Sequence, residues 1–183
     1  LRFIKIGVVY LAVLSVITVI YLPYYHSFTL KLSLIGALVG ILTAVILTPL
    51  EYGVGYVNLK AKGVHVKRGF EVNKTWQNQS IMMWILTMVY AVLEELLYRG
   101  IWGAILLDQL SAAWYVFIIC SAVIYGLNHL YMGSTVVFQK ILTGIFLSVI
   151  YIIFGRELLV PIIAHAGQNL ILWGISGRMG THK

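Results

Sequence analysis

The residues best equipped for chemistry lie in Glu94-Glu95-Leu96-Leu97-Tyr98-Arg99-Gly100, where three charged groups fall within six positions. The chain on either side is uncharged, from Ile81 to Leu93 and from Ile101 to Leu107. An ionisable group at membrane depth costs about 2.5–3.5 kcal/mol on insertion scales and marks a functional site by default. On a helix, Glu95 and Arg99 stand at i, i+4 and can pair. Glu94 is turned about 100° from Glu95, so its carboxylate need not be neutralised by Arg99. The competing reading is a structural ion-pair cluster. A second acid with no second cation close by in sequence favours chemistry.

Two further polar clusters interrupt apolar runs. Tyr125-Gly126-Leu127-Asn128-His129 places Tyr125 and His129 on one helical face, and His165-Ala166-Gly167-Gln168-Asn169 stacks His165 and Asn169 in the same way. A single membrane histidine is usually an interhelical hydrogen-bonder. Two histidines, an asparagine and an uncommitted glutamate make a set that can do more. The glutamate can act as a general base toward water, with a neutral imidazole sharing that water. A second imidazole and a carboxamide N–H can donate to a developing oxyanion. Tyr98 and Gln168 read as packing or hydrogen-bonding neighbours. No serine stands in a G-x-S-x-G setting, Cys120 has no motif around it, and there is no H-E-x-x-H. Two His and two Glu could also ligate zinc, since His2Glu sites exist. Hydrolysis of an amide by activated water, without metal or cofactor, is the expectation, with a zinc peptidase as the variant.

These groups must be positioned by membrane helices. The 183 residues are 61% hydrophobic and 10% charged, with a mean hydropathy of +0.93, whereas about 25% charged residues is usual in soluble domains. An all-α polytopic bundle of about six transmembrane helices is predicted. The spans are Ile6 to Leu22 closed by Pro23, Leu32 to Leu50, Ile81 to Leu107, Ala112 to Leu130, Val136 to Phe154, and Leu158 to Ile175. The first apolar run is too long for a cleaved leader and lacks a small-residue cleavage site. Gly36 and Gly40 form a G-x-x-x-G pair suited to close packing. Glu51 to Ser80 reads as a polar loop, in which the alternation Val64-His65-Val66-Lys67 suits a short strand or an interfacial patch. Residues 1–80 thus form a two-span region with a basic loop, and 81–183 the four-span core that carries the polar motifs.

The net charge of +7 follows membrane topology rather than nucleic-acid binding. With both termini inside, Arg2, Lys5, Lys60, Lys62, Lys67, Arg68, Lys74, Lys140, Arg178 and Lys183 lie on the inner side. Only Lys31 and Arg156 lie on the outer side, and this asymmetry predicts cytoplasmic termini. Straight helices strain this scheme, because they put Glu94 at mid-membrane and His129 near the inner edge. A break of the third helix after Arg99, at Gly100 or Gly103, is expected to bring the two together.

Glu94-Glu95-x-x-x-Arg99, the aromatic-x-x-x-His of Tyr125 to His129, and His165-x-x-x-Asn169 together resemble the three motifs of the CAAX protease and bacteriocin-processing family. These are the CPBP or ABI intramembrane glutamic-type proteases, and the resemblance covers about Ile81 to Ile175. One departure is Tyr125, where the family usually has Phe. The resemblance implies that Glu94 activates water with His129 assisting, that Glu95 and Arg99 support the site, and that His165 and Asn169 stabilise the oxyanion. It also implies an endopeptidase acting on a membrane-bound peptide or protein, whether CAAX-type, peptide signal or bacteriocin-related. A bacterial cell-membrane protein is expected from the short six-span plan. The reading from a different class is a non-catalytic partner or immunity protein that binds a sensor kinase, transporter or bacteriocin receptor.

Overall fold

Inside a bilayer each backbone N–H and C=O must be satisfied within the protein, so long apolar runs become helices. A computed structural model describes residues 2–21, 28–64 and 80–179. It has six helices among them: α1 (Arg2–Tyr21), α2 (Leu34–Ala61), α3 (Ile81–Gln109), α4 (Trp114–Leu127), α5 (Ser134–Ile153) and α6 (Leu159–Met179). No strand occurs among the described residues; the sole extended pairing there is a bridge between Thr29 and Glu157. The chain is an all-helical membrane bundle. α2, α3 and α5 are long and apolar enough to cross a bilayer, whereas α4 is shorter.

The bundle is inverted relative to a soluble protein. α2 turns Leu34, Ile35, Leu38, Ile41, Leu42, Val45 and Ile46 outward and keeps Thr43, Thr48 and Glu51 inside. An exposed apolar face of that extent is matched to lipid, and the polar groups are confined to the interior, where partners exist. Close approach of backbones is made possible by small residues. A Cβ on Gly40 of α2 would lie 2.9 Å from the Val160 carbonyl of α6, and one on Gly144 of α5 would lie 2.8 Å from Cα of Ala122 on α4. The two ends of the bundle are tied separately. At one end Arg156 Nη1 reaches Asp108 Oδ1 at 2.6 Å, and Ser33, the N-cap of α2, donates to Glu157. At the other, Lys62 Nζ bonds Ser134 Oγ at 2.8 Å, joining the end of α2 to the start of α5.

Three helices differ from their expected form. α2 does not stop at Leu50 but runs through Pro49 to Ala61, so Glu51 lies in a helix and is buried. A proline is tolerated at such depth because neighbouring helices and side chains re-satisfy the freed backbone groups. α3 is not broken after Arg99. It continues with helical backbone through wider π-type turns at Leu96–Ile101 and Ala104–Gln109. Gly100 and Gly103 serve packing instead, with Phe28 against the first and Tyr151 against the second. α4 ends at Leu127 rather than Leu130, leaving His129 in a turn before a 3₁₀ segment. Pro23, the 65–67 part of the alternating segment, and the loop cations Lys67, Arg68 and Lys74 lie outside the described residues.

Candidate active site

The last turn of the regular α-helical part of α3, Ile81–Glu95, carries Glu94 and Glu95 into the interior, where both are buried. Their neighbours from elsewhere in the bundle come from the end of α4 and from α6. Glu94 Oε1 lies 3.7 Å from His129 Nε2 in the turn after α4, and Glu94 Oε2 lies 3.9 Å from His165 Nε2 on α6. A continuous α3 achieves this because α4 is short: its chain turns beside Glu94 instead of passing it.

The hydrogen bonds assign the ring protons. His129 Nδ1 is 2.9 Å from the Tyr125 carbonyl, which can only accept, so Nδ1 carries hydrogen and neutral Nε2 presents a lone pair to Glu94. His165 Nδ1 is 2.8 Å from Glu95 Oε1, so it likewise donates there. Its Nε2 meets the Tyr125 hydroxyl at 3.4 Å. Glu95 therefore does more than pair with Arg99. It also orients the His165 ring.

Arg99 is fully buried and held through its two terminal nitrogens. Nη1 donates to Glu95 Oε1 at 3.2 Å and Nη2 to the Gly144 carbonyl of α5 at 3.1 Å. The guanidinium stacks on the Tyr125 ring, 4.8 Å from its centroid. Tyr125 also meets Tyr98, His129 and His165 edge-on, with centroids 5.4, 5.1 and 5.9 Å away. The tyrosine in place of phenylalanine thus packs as an aromatic hub and adds a hydroxyl against His165.

Asn169 stands four residues beyond His165 on α6 and is half-buried. Among the described residues it makes no hydrogen bond to the cluster. One residue that sequence reasoning left without a role does touch the cluster, and Gln168, read as a packing or hydrogen-bonding neighbour, bonds Glu51. Asn128 Nδ2 lies 3.3 Å from Glu94 Oε1 and 3.3 Å from the Tyr90 hydroxyl. Gln168 Nε2 bonds Glu51 Oε2 at 2.5 Å, and Glu51 Oε1 accepts from Lys140 Nζ at 2.7 Å and Thr143 Oγ1 at 3.3 Å. Buried Glu51 and half-buried Lys140 form a second ion pair. A signal for it exists in the sequence: Lys140 falls within the fifth apolar run and needs an acidic partner.

This set can position a water against a carboxylate and imidazole and place further donors nearby. Among the described residues no group of three or more His, Cys, Asp or Glu is disposed to hold a metal ion. No curated protein and no solved structure matches the chain. A family model does, over residues 76–171, which is just over half of the sequence and contains Glu94, His129, His165 and Asn169. With that match, the chain belongs to the type II CAAX prenyl endopeptidase Rce1-like family, membrane proteases that act on membrane-bound substrates.

Proposed function

We propose that the protein hydrolyses a peptide bond of a prenylated CAAX-type substrate with water activated by Glu94 and His129. The observation that carries this reading is the 3.7 Å approach of Glu94 Oε1 to His129 Nε2, with the His129 ring proton committed to the Tyr125 carbonyl. An ionised carboxylate and a bare imidazole nitrogen are both acceptors. A water between them donates one O–H to each and turns its oxygen lone pairs to the substrate.

Glu94 takes the proton as the water oxygen attacks the scissile carbonyl carbon. The resulting oxyanion needs donors. His165 supplies one from Nε2 when it is an imidazolium, a state balanced by Glu95, and Asn169 supplies the second from its carboxamide. With the proton on Glu94, the negative charges are the oxyanion and Glu95, and the positive charges that balance them are Arg99 and His165. Collapse of the intermediate breaks the C–N bond, and the proton held by Glu94 passes to the departing amine. The products are a new carboxylate and a free amine.

A zinc-dependent variant has one supporting observation. Both imidazoles direct Nε2 toward Glu94 while Nδ1 donates to a carboxylate or carbonyl, the pattern that orients metal-bound histidines. The two readings separate in one assay. Glutamate-activated hydrolysis predicts that purified protein keeps its cleavage rate after exhaustive chelation and that Glu94→Gln removes it. Loss of activity on chelation, restored by zinc, would replace the metal-free mechanism with the zinc variant. Full activity of Glu94→Gln would sink both.

A further inference from the structure

We propose that Asn128 is a positioning residue for the Glu94 carboxylate, fixing Oε1 as the acceptor that receives the attacking water. The inference rests on the reading of Glu94 as the base.

Asn128 sits at the end of α4, where its backbone N–H bonds the Ile124 carbonyl at 3.0 Å. Its φ of −58° and ψ of −20° are open to any residue, so the local backbone does not require asparagine. The side chain explains the choice better. Its Nδ2 group has two hydrogens and two acceptors, each at 3.3 Å: Glu94 Oε1 and the Tyr90 hydroxyl. Tyr90 and Glu94 are themselves i, i+4 on α3, so one carboxamide spans a full helical turn of the neighbouring helix. The amide orientation follows from chemistry, since turning Oδ1 toward Glu94 would set two acceptors, Oδ1 and Glu94 Oε1, against each other.

The consequence concerns rotation. The terminal torsion of a glutamate is broad, so an unrestrained carboxylate exchanges its two oxygens. Asn128 donates to Oε1 at 3.3 Å, the same oxygen that lies 3.7 Å from His129 Nε2. Tyr90 in turn holds the second N–H of the carboxamide. A misplacement of about 1 Å at a reacting group costs on the order of 10²-fold in rate, so the restraint acts on turnover rather than on substrate affinity.

The test is steady-state cleavage of a farnesylated CAAX peptide by full-length protein in lipid vesicles, for Asn128→Leu, Asn128→Asp, Tyr90→Phe and Asn128→Leu/Tyr90→Phe. Losing one hydrogen bond to a charged group predicts a fall in kcat of about 10–10² for Asn128→Leu, with KM changed by less than about twofold. Asn128→Asp, which keeps the shape but faces Glu94 with another acceptor, falls further. Tyr90→Phe loses less, and the double variant is no slower than Asn128→Leu, because Tyr90 acts through Asn128. A kcat for Asn128→Leu within about threefold of the parent overturns the proposal, as does a rise in KM with kcat unchanged. Independent, additive losses overturn it too. If Asn128→Leu fails to accumulate, Asn128→Asp decides by the same kcat criterion. An inactive Glu94→Gln with a fully active Asn128→Leu defeats this inference alone, whereas a fully active Glu94→Gln defeats the reading beneath it.

Discussion

At the scale of single residues, the two adjacent glutamates have opposite surroundings. Glu95 is held by Arg99 at 3.2 Å and His165 at 2.8 Å, while Glu94 approaches its two histidines only at 3.7 and 3.9 Å. This contrast predicts different failures on mutation. Arg99→Ala leaves a buried carboxylate without its cation, at a cost of about 3–5 kcal/mol, so membrane-extracted protein should fall sharply in abundance. Glu94→Gln keeps the size of a side chain that no cation grips, and should accumulate at the parental level while losing activity. Quantitative immunoblots of the two variants check this; equal abundance with equal loss of activity would contradict it. The Tyr125 ring beneath Arg99 extends the argument. Tyr125→Phe retains the cation–π contact and should retain abundance, whereas Tyr125→Leu loses about 0.5–2 kcal/mol and should lower the unfolding temperature. The pairing of Glu95 with Arg99 was legible from spacing alone. The Glu95–His165 and Asn128–Glu94 contacts were not, because each joins residues on different helices with no local pattern to announce it.

At the scale of elements, α2 is where sequence reasoning went furthest astray. The polar stretch that opens at Glu51 reads as a loop closing the span at Leu50, yet the helix continues to Ala61. The explanation lies in partners supplied by α5 and α6. Glu51 accepts from Lys140, Thr143 and Gln168, and its carbonyl accepts from Gln139 Nε2 at 2.8 Å. Those residues lie far along the chain, so no window of sequence around Glu51 shows that it can be buried. α3, by contrast, was legible in extent, because an apolar run interrupted by one charged cluster has few alternatives to a long helix. The ion pair carries its own prediction. Lys140→Met alone strands Glu51 and should destabilise by about 3–5 kcal/mol, while Glu51→Met/Lys140→Met should recover much of the loss, as buried pairs replaced together often do. Thermal unfolding in detergent reads both. A double variant no more stable than Lys140→Met would contradict the pairing.

At the scale of the whole molecule, the site lies toward the end of the bundle where Lys62 meets Ser134, since His129 sits in the turn leading into α5. The basic segment after α2 departs from that same end. Cation counting therefore predicts that this end, with the site near it, faces the cytoplasm. In a Cys120→Ala background, Lys67→Cys should resist a membrane-impermeant thiol reagent applied to intact cells and react after lysis. Labelling of intact cells would reverse the orientation. The bundle itself was readable from composition, because only helices satisfy backbone groups across so much apolar sequence; the turn that brings His129 to Glu94 depends on α4 ending early, which its apolar run does not reveal. The central claim, that Glu94 directs water onto the peptide bond, is tested most directly by reconstituting purified protein in vesicles. A farnesylated CAAX peptide is supplied with chelator present, and the products are identified by mass spectrometry. The predicted result is release of the C-terminal tripeptide by the parent and none by Glu94→Gln at equal protein level. Release by Glu94→Gln at the parental rate, or an intact peptide with the parent protein, would contradict the account.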